Sequence, residues 1–236
     1  MYKMKSSIRF SECDATEKVR LSSIINYFQD CTSEDSQKLG AGAEQLRKKH
    51  RAWVLNAWQV EINRFPKITE EIEVATWASG FQGVIGPRNF TMKTKDDEML
   101  AYANSLWVYI DTETGRPVKI DEEEKALYDV APALEMEKVS RKISCPETAL
   151  VVDTFSVRKY HIDTNNHVNN SQYVQMACEV LPDTYCVKKL RVEYKKPAVY
   201  GDKIVLKQAV EDGRIVVELC DTEENLYAIV EFIGEN

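Results

Sequence analysis

The chain of 236 residues is 44% apolar, enough to build one large core or two smaller ones without covalent staples. Its 31 basic and 38 acidic residues leave a net charge of −7, which argues against generic binding to nucleic acid or to an anionic membrane surface. The opening MYKMKSSIRFSECD lacks the apolar core of a signal peptide and no later run approaches the roughly 20 apolar residues that span a bilayer, so a cytoplasmic protein without stable membrane insertion is expected.

The first regular element is a helix over 21–31, LSSIINYFQDC, with Leu21, Ile24, Ile25, Phe28 and Cys31 on one face and Ser22 or Ser23 as its cap. Four strand-like segments follow at 52–65, 70–81, 86–95 and 103–112, where β-branched and aromatic residues alternate with polar ones. The charged, proline-containing stretch 121–150 reads as a linker with room for one short helix.

A second helix is expected over 170–181, NSQYVQMACEVL. It is apolar nearly all round, so other structure should wrap it, and Pro182 ends it. Four more strand-like segments occupy 187–196, 202–211, 213–222 and 226–233, separated by turns such as EDG and DTEEN. The halves also align residue by residue: CDATEKVRLSS at 13–23 overlays IDTNNHVNNSQ at 162–172, and INRFP at 62–66 answers EYKKP at 193–197. Such self-similarity implies a duplicated unit of one strand, one long helix and an antiparallel sheet curling around it.

The stretch HIDTNNHVNNSQYV at 161–174 concentrates two of the chain's three histidines, one aspartate and four asparagines just before the second helix. If 163–167 is extended, Asp163, Asn165 and His167 point to one side. A carboxylate, an amide and an imidazole beside the unpaired N–H groups of a helix start are the parts needed to hydrolyse an ester or thioester. Capping the helix through Asn169 or Asn170 would need one side chain and not three. His161 shares the alternating face and reads as a strand residue. In the first half Thr16 and Lys18 stand where Asn165 and His167 stand in the second, so one copy keeps the whole set and the other only the acid, Asp14. No GxSxG elbow is present. The six cysteines show no CxxC pair or regular spacing, so neither a zinc site nor a disulfide framework nor any cofactor is implied.

With these residues in view, the chain resembles the acyl-acyl carrier protein thioesterases, double-hotdog enzymes of plant plastids and many bacteria. LSSIINYFQD, WVLNAWQVEINRFP, EVATWASGFQG, SLWVYIDTETGRPVKI and DTNNHVNNSQYV resemble that family in order over nearly the whole length. The resemblance implies an α+β fold of two tandem hotdog domains, each a long central helix wrapped by a curved antiparallel sheet. It divides the chain into an N-terminal hotdog with the acyl pocket (1–120), a linker (121–152) and a catalytic C-terminal hotdog (153–236). It implies hydrolysis of fatty acyl-acyl carrier protein, with Asp163, Asn165 and His167 catalytic. Plant members resemble LEYRREC where this chain reads VEYKKPA, so Pro197 and Ala198 replace an acid and a cysteine, and Glu193 is the nearest acid that could substitute.

Ile24, Phe28, Trp53, Leu55 and Trp107 are candidates for the acyl pocket, although each also suits an ordinary core. Carrier protein is acidic, so a basic dock is expected, with Lys188, Lys189 and Arg191 as candidates against the alternative that they are the wet side of a strand. The rival readings are a hotdog thioesterase acting on acyl-CoA, a hotdog dehydratase, which the absence of a His-Phe-Pro segment disfavours, and an inactive acyl-binding protein. A monomer and a homodimer both fit, and acyl length is not legible.

Overall fold

A computed structural model describes residues 1–211 and 213–235. Asp212, in the expected EDG turn, and the terminal Asn236 lie outside the described residues. The chain is a mixed α+β protein dominated by antiparallel sheet, and it separates into two compact units, Met1–Asn56 with Ile62–Lys138, and Ala57–Glu61 with Val139–Asn236.

In the first unit, β1 (Tyr2–Ser7) leads into a helix, α1 (Leu21–Lys38), and a short helix, α2 (Ala43–Lys48). The strands β2 (Arg51–Ile62), β3 (Glu71–Ala78), β4 (Ile85–Thr94) and β5 (Met99–Asp111) follow, in the order β1-β3-β4-β5-β2. A helix of five residues, α3 (Glu122–Ala126), is capped by the Asp121 carboxylate, which accepts from the Glu124 amide. The helix expected at 21–31 runs a further two turns. Its N-cap is Arg20 and not Ser22 or Ser23; the Ser23 hydroxyl donates instead to the Glu12 carbonyl at 3.2 Å.

Ile24, Ile25, Phe28 and Cys31 of α1 are fully buried, and the Phe28 ring lies 5.1 Å from that of Phe90 on β4. Burial of each large side chain contributes about 1.5–3 kcal/mol. One polar tie crosses this core: Arg88 of β4 donates to the Asp35 carboxylate of α1 at 2.7 Å and to the Thr76 hydroxyl of β3 at 3.1 Å.

The second unit repeats the scheme with β6 (Leu150–Ser156), α4 (Asn170–Cys178), β7 (Cys186–Tyr194), β8 (Lys203–Glu211), β9 (Arg214–Cys220) and β10 (Leu226–Glu235). Its strand order is β7-β10-β9-β8-β6, and residues 57–61 of β2 pair with Lys189–Glu193 of β7. Tyr173, Val174, Met176 and Ala177 of α4 are buried, as its apolar composition predicts. The helix stops at Cys178, three residues before the expected end. Leu150–Val152, expected in the linker, already belong to β6.

Candidate active site

Residues 163–167 are not extended, contrary to the sequence-based expectation. They form a tight turn in which the Asp163 amide donates to the His167 carbonyl at 2.8 Å and the Asn166 amide to the Asp163 carbonyl at 3.1 Å. Asn166 turns the chain at a positive φ of 62°, a conformation asparagine tolerates better than most residues. The Asp163 Oδ1 accepts from the amides of Asn165 (2.8 Å) and His167 (3.3 Å), which is the local bond that favours aspartate in such turns.

Asn165 is exposed, while Asp163 and His167 are half-buried. The three residues thus lie within one tight turn and not along a strand. Among the described residues no hydrogen bond engages the Asn165 amide group or the His167 ring.

The flanks are anchored on both sides. The Asn169 amide donates to the His161 carbonyl (2.9 Å) and the Val168 amide to the Ala198 carbonyl (2.9 Å). The Ala198 amide in turn donates to the Tyr173 hydroxyl of α4 at 2.8 Å. Burial pushes the Tyr173 hydroxyl up to about 12, so it stays protonated at neutral pH. Asn169 caps α4 as expected, its Oδ1 accepting from the Ser171 amide at 2.9 Å, and the Asn169 carbonyl accepts from the Gln172 amide. Two donors of the helix start are thereby already used, which narrows what that start can offer an oxyanion.

His161 sits at the end of a short 3-10 turn, Lys159–His161, and not on a strand. Its Nδ1 accepts from the Arg158 amide at 3.0 Å. Burial, helped by the nearby Arg158 charge, lowers its pKa.

The first unit builds the same turn. Asp14 Oδ1 accepts from the Thr16 amide and hydroxyl, both at 2.7 Å, and from the Lys18 amide at 3.4 Å, and Glu17 carries a φ of 62°. Burial pushes the Asp14 carboxyl up, but these hydrogen bonds outweigh it and its pKa is lowered. The Val19 amide donates to the Pro66 carbonyl, so Pro66 occupies the place of Ala198. The proline-to-proline match of INRFP with EYKKP is thus off by one residue. An aspartate at this position is a turn former in both units; only the amide and the imidazole are particular to the second.

Glu193 is not brought to this turn. It is buried on β7 with Oε2 accepting from the Ile143 amide at 3.0 Å and Oε1 paired with Lys195. Its neighbour Tyr194 points the other way, toward α4, donating to the Asn170 carbonyl at 3.0 Å. Ala198 is fully buried. Cys178 on α4 is half-buried, and burial raises its thiol to about 12, while Cys186 is exposed.

The expected carrier dock is largely neutralised: Lys189 is buried and paired with Glu61 at 3.1 Å, and Arg191 is paired with Glu231. Lys188 alone of the three is exposed.

Of the pocket candidates, Ile24, Phe28 and Leu55 are buried core residues. Trp53 packs with Phe81, Val118, Leu46, Tyr109 and Ile120, and its indole N–H donates to the buried Glu124 carboxylate at 3.0 Å. The Trp107 indole donates to the Ser105 hydroxyl at 2.8 Å. Sequence reasoning missed Tyr173, which it read only as an apolar helix position, and Glu124, which it left in a charge run.

Comparison with known proteins gives a consistent result. The family model described as acyl-ACP thioesterase N-terminal domain matches residues 1–128, and that of the acyl-ACP thioesterase C-terminal domain matches residues 146–231. An oleoyl-acyl carrier protein thioesterase of Coriandrum sativum is 26% identical over 255 residues, covering 98% of this chain and 69% of the relative. Oleoyl-acyl carrier protein thioesterase 2 of Arabidopsis thaliana is 26% identical over 223 residues, covering 85% of this chain and 60% of its own. The chain thus spans between about three-fifths and two-thirds of these relatives. A crystal structure of an acyl-ACP thioesterase from Bacteroides thetaiotaomicron shares the fold, with a TM-score of 0.91 and 21% identity over 99% of this chain and 97% of that one.

Proposed function

Because this chain belongs to the acyl-ACP thioesterase family, matching both of its domain models, we propose that it hydrolyses fatty acyl-acyl carrier protein to free fatty acid and carrier thiol. Its two units are read as tandem hotdog domains: an N-terminal one over 1–120 holding the acyl chain, a linker over 121–152, and a catalytic one over 153–236. The protein acts without a cofactor in the cytoplasm. Among the described residues no helix is long and apolar enough to cross a membrane.

The observation that carries the reading is the turn at Asp163–His167. It carries Asp163, Asn165 and His167 on one backbone turn, and its structural twin in the first unit has Thr16 and Lys18 in place of the last two. With Oδ1 held by two backbone amides, Asp163 is oriented rather than mobile, which suits it to position a water molecule together with Asn165. His167 accepts a proton as that water attacks the thioester carbon. The carbon–sulfur bond breaks when the tetrahedral intermediate collapses, and the imidazolium returns its proton to the departing sulfur. Glu193 is assigned a structural part and no chemical one.

The test is fatty acid release from a panel of acyl-acyl carrier proteins and matched acyl-CoAs by the parent protein, Asp163→Ala and His167→Ala. Release that prefers the carrier protein and collapses in both variants supports the proposal. Preference for acyl-CoA would move the substrate to the rival class, and release untouched by the substitutions would remove this turn from the chemistry.

A further inference from the structure

The end of the second unit that carries the Asp163 turn also carries a basic and aromatic surface that the hydrolytic reading leaves unused. Arg158, Lys159, Tyr160, Val199, Tyr200 and Lys203 are all exposed, Tyr160 at 78% and Tyr200 at 60%. Two chain segments meet there. The Val157 amide donates to the Asp202 carbonyl at 2.8 Å, the Gly201 amide to the Val157 carbonyl at 3.2 Å, and Ser156 stands opposite Lys203 in the β6–β8 register. Lys159 Nζ lies 5.9 Å from the centroid of the Tyr200 ring. The first segment runs straight on into the Asp163 turn, and the second begins at Ala198, whose carbonyl holds Val168.

The cations of this surface are in no ion pair among the described residues. Lys189, Arg191, Lys195 and Lys196 on and after β7 are all in ion pairs, whereas among the described residues Arg158, Lys159 and Lys203 are in none. The nearest acid on the second segment, Asp202, is occupied, accepting from the Val199 amide and the Tyr227 hydroxyl, both at 3.0 Å. The other unit is an internal control for the fold requirement. There Arg9 is paired with Glu12 at 3.3 Å, and Phe10, Ile68 and Glu71 stand where Lys159, Tyr200 and Lys203 stand here. The turn can therefore be built without a basic surface beside it.

We infer that the surface formed by Arg158, Lys159, Tyr160, Tyr200 and Lys203 docks the acidic face of the acyl carrier protein, delivering its thioester to the Asp163 turn. The inference rests on the proposed function. It replaces Lys189 and Arg191 of β7 as the dock, since those spend their charge within the protein. The compact phosphate groups of a CoA thioester are best held by convergent, partly buried donors. Here every cation is exposed and they are spread among tyrosines and a valine, the make-up of a rim that meets another protein.

The test compares the parent protein with Arg158→Glu/Lys159→Glu and with the milder Arg158→Gln/Lys159→Gln, on an acyl-acyl carrier protein and on the same acyl group as a pantetheine thioester. The expected result is a rise in KM of about tenfold on the carrier substrate for the Glu pair, a smaller rise for the Gln pair, an unchanged kcat, and a flattened dependence on salt. Rates on the pantetheine thioester should not move. A Lys5→Glu/Lys138→Glu variant, which makes the same change in net charge at two other exposed positions, should leave KM unchanged. Equal losses on both substrates, no loss in either pair, or an equal loss in the control would each overturn the inference. A parent protein that hydrolyses neither substrate would overturn the proposed function first.

Discussion

The Ala198 amide donates to the Tyr173 hydroxyl at 2.8 Å while the Ala198 carbonyl accepts from Val168 at 2.9 Å. One buried residue thus ties the body of α4 to the segment that leaves the Asp163 turn. Tyr173→Phe removes the hydroxyl that accepts from a buried N–H and should cost about 1–3 kcal/mol, a fall in Tm of several degrees for a chain of this size. Hydrogen exchange should show the Val168 amide opening sooner in the variant. Unchanged Tm and unchanged Val168 protection would mean that the tie holds nothing.

The twin turns separate what an aspartate does for folding from what it does for chemistry. An asparagine oxygen can still accept from the backbone amides, so Asp14→Asn and Asp163→Asn should both keep their turns and lose about 1 kcal/mol or less. Asp163→Asn should nevertheless lower kcat by two or more orders of magnitude, and Asp14→Asn should leave it unaltered. Equal kcat in the two variants would show that Asp163 is a turn former and nothing else.

Glu193 offers the opposite contrast. Its carboxylate accepts from the Ile143 amide at 3.0 Å and pairs with Lys195, and it is buried. Glu193→Gln should therefore destabilise by roughly 1–3 kcal/mol and leave kcat within about twofold of the parent. A loss of kcat comparable with that of His167→Ala, in a variant whose Tm is unchanged, would restore it as a chemical acid.

Much of this architecture is legible in the sequence because β-branched and aromatic residues mark the central strands, either in alternation, as in LRVEY, or in apolar runs, as in YAIV. The edge strands β1 and β6 are not. LVVDTFS is almost wholly exposed, and in YKMKSS only Tyr2 and Met4 mark the half-buried side, too short an apolar pattern to stand out. The error at 163–167 has a different origin. The residues DTNNH fit an alternating strand and an Asp-closed turn equally well by type, and it is the positive φ of Asn166 and the amides bonded to Asp163 Oδ1 that make the turn. Lys189 and Arg191 looked like a solvated or docking face because their partners, Glu61 and Glu231, lie on neighbouring strands far away in the chain. Local sequence cannot reveal a cross-strand ion pair before register is known.

His161 supplies a pH dependence whose sign follows from its setting. Its Nδ1 accepts from the Arg158 amide at 3.0 Å, which only the neutral ring can do, and burial followed by the Arg158 charge lowers its pKa from 6.5. Above 6.5 the ring is neutral whether the chain is folded or not. As pH falls below 6.5 the unfolded chain takes up a proton that the folded one refuses, so stability declines until the folded pKa is passed. Arg158→Gln removes the smaller of the two causes. The His161 resonance in an NMR titration should then move its midpoint upward while staying below 6.5, and the acid-side decline in Tm should shrink by the same linkage. A midpoint at or above 6.5 in the parent protein would show that the ring is hydrated and that its bond to the Arg158 amide does not form in solution.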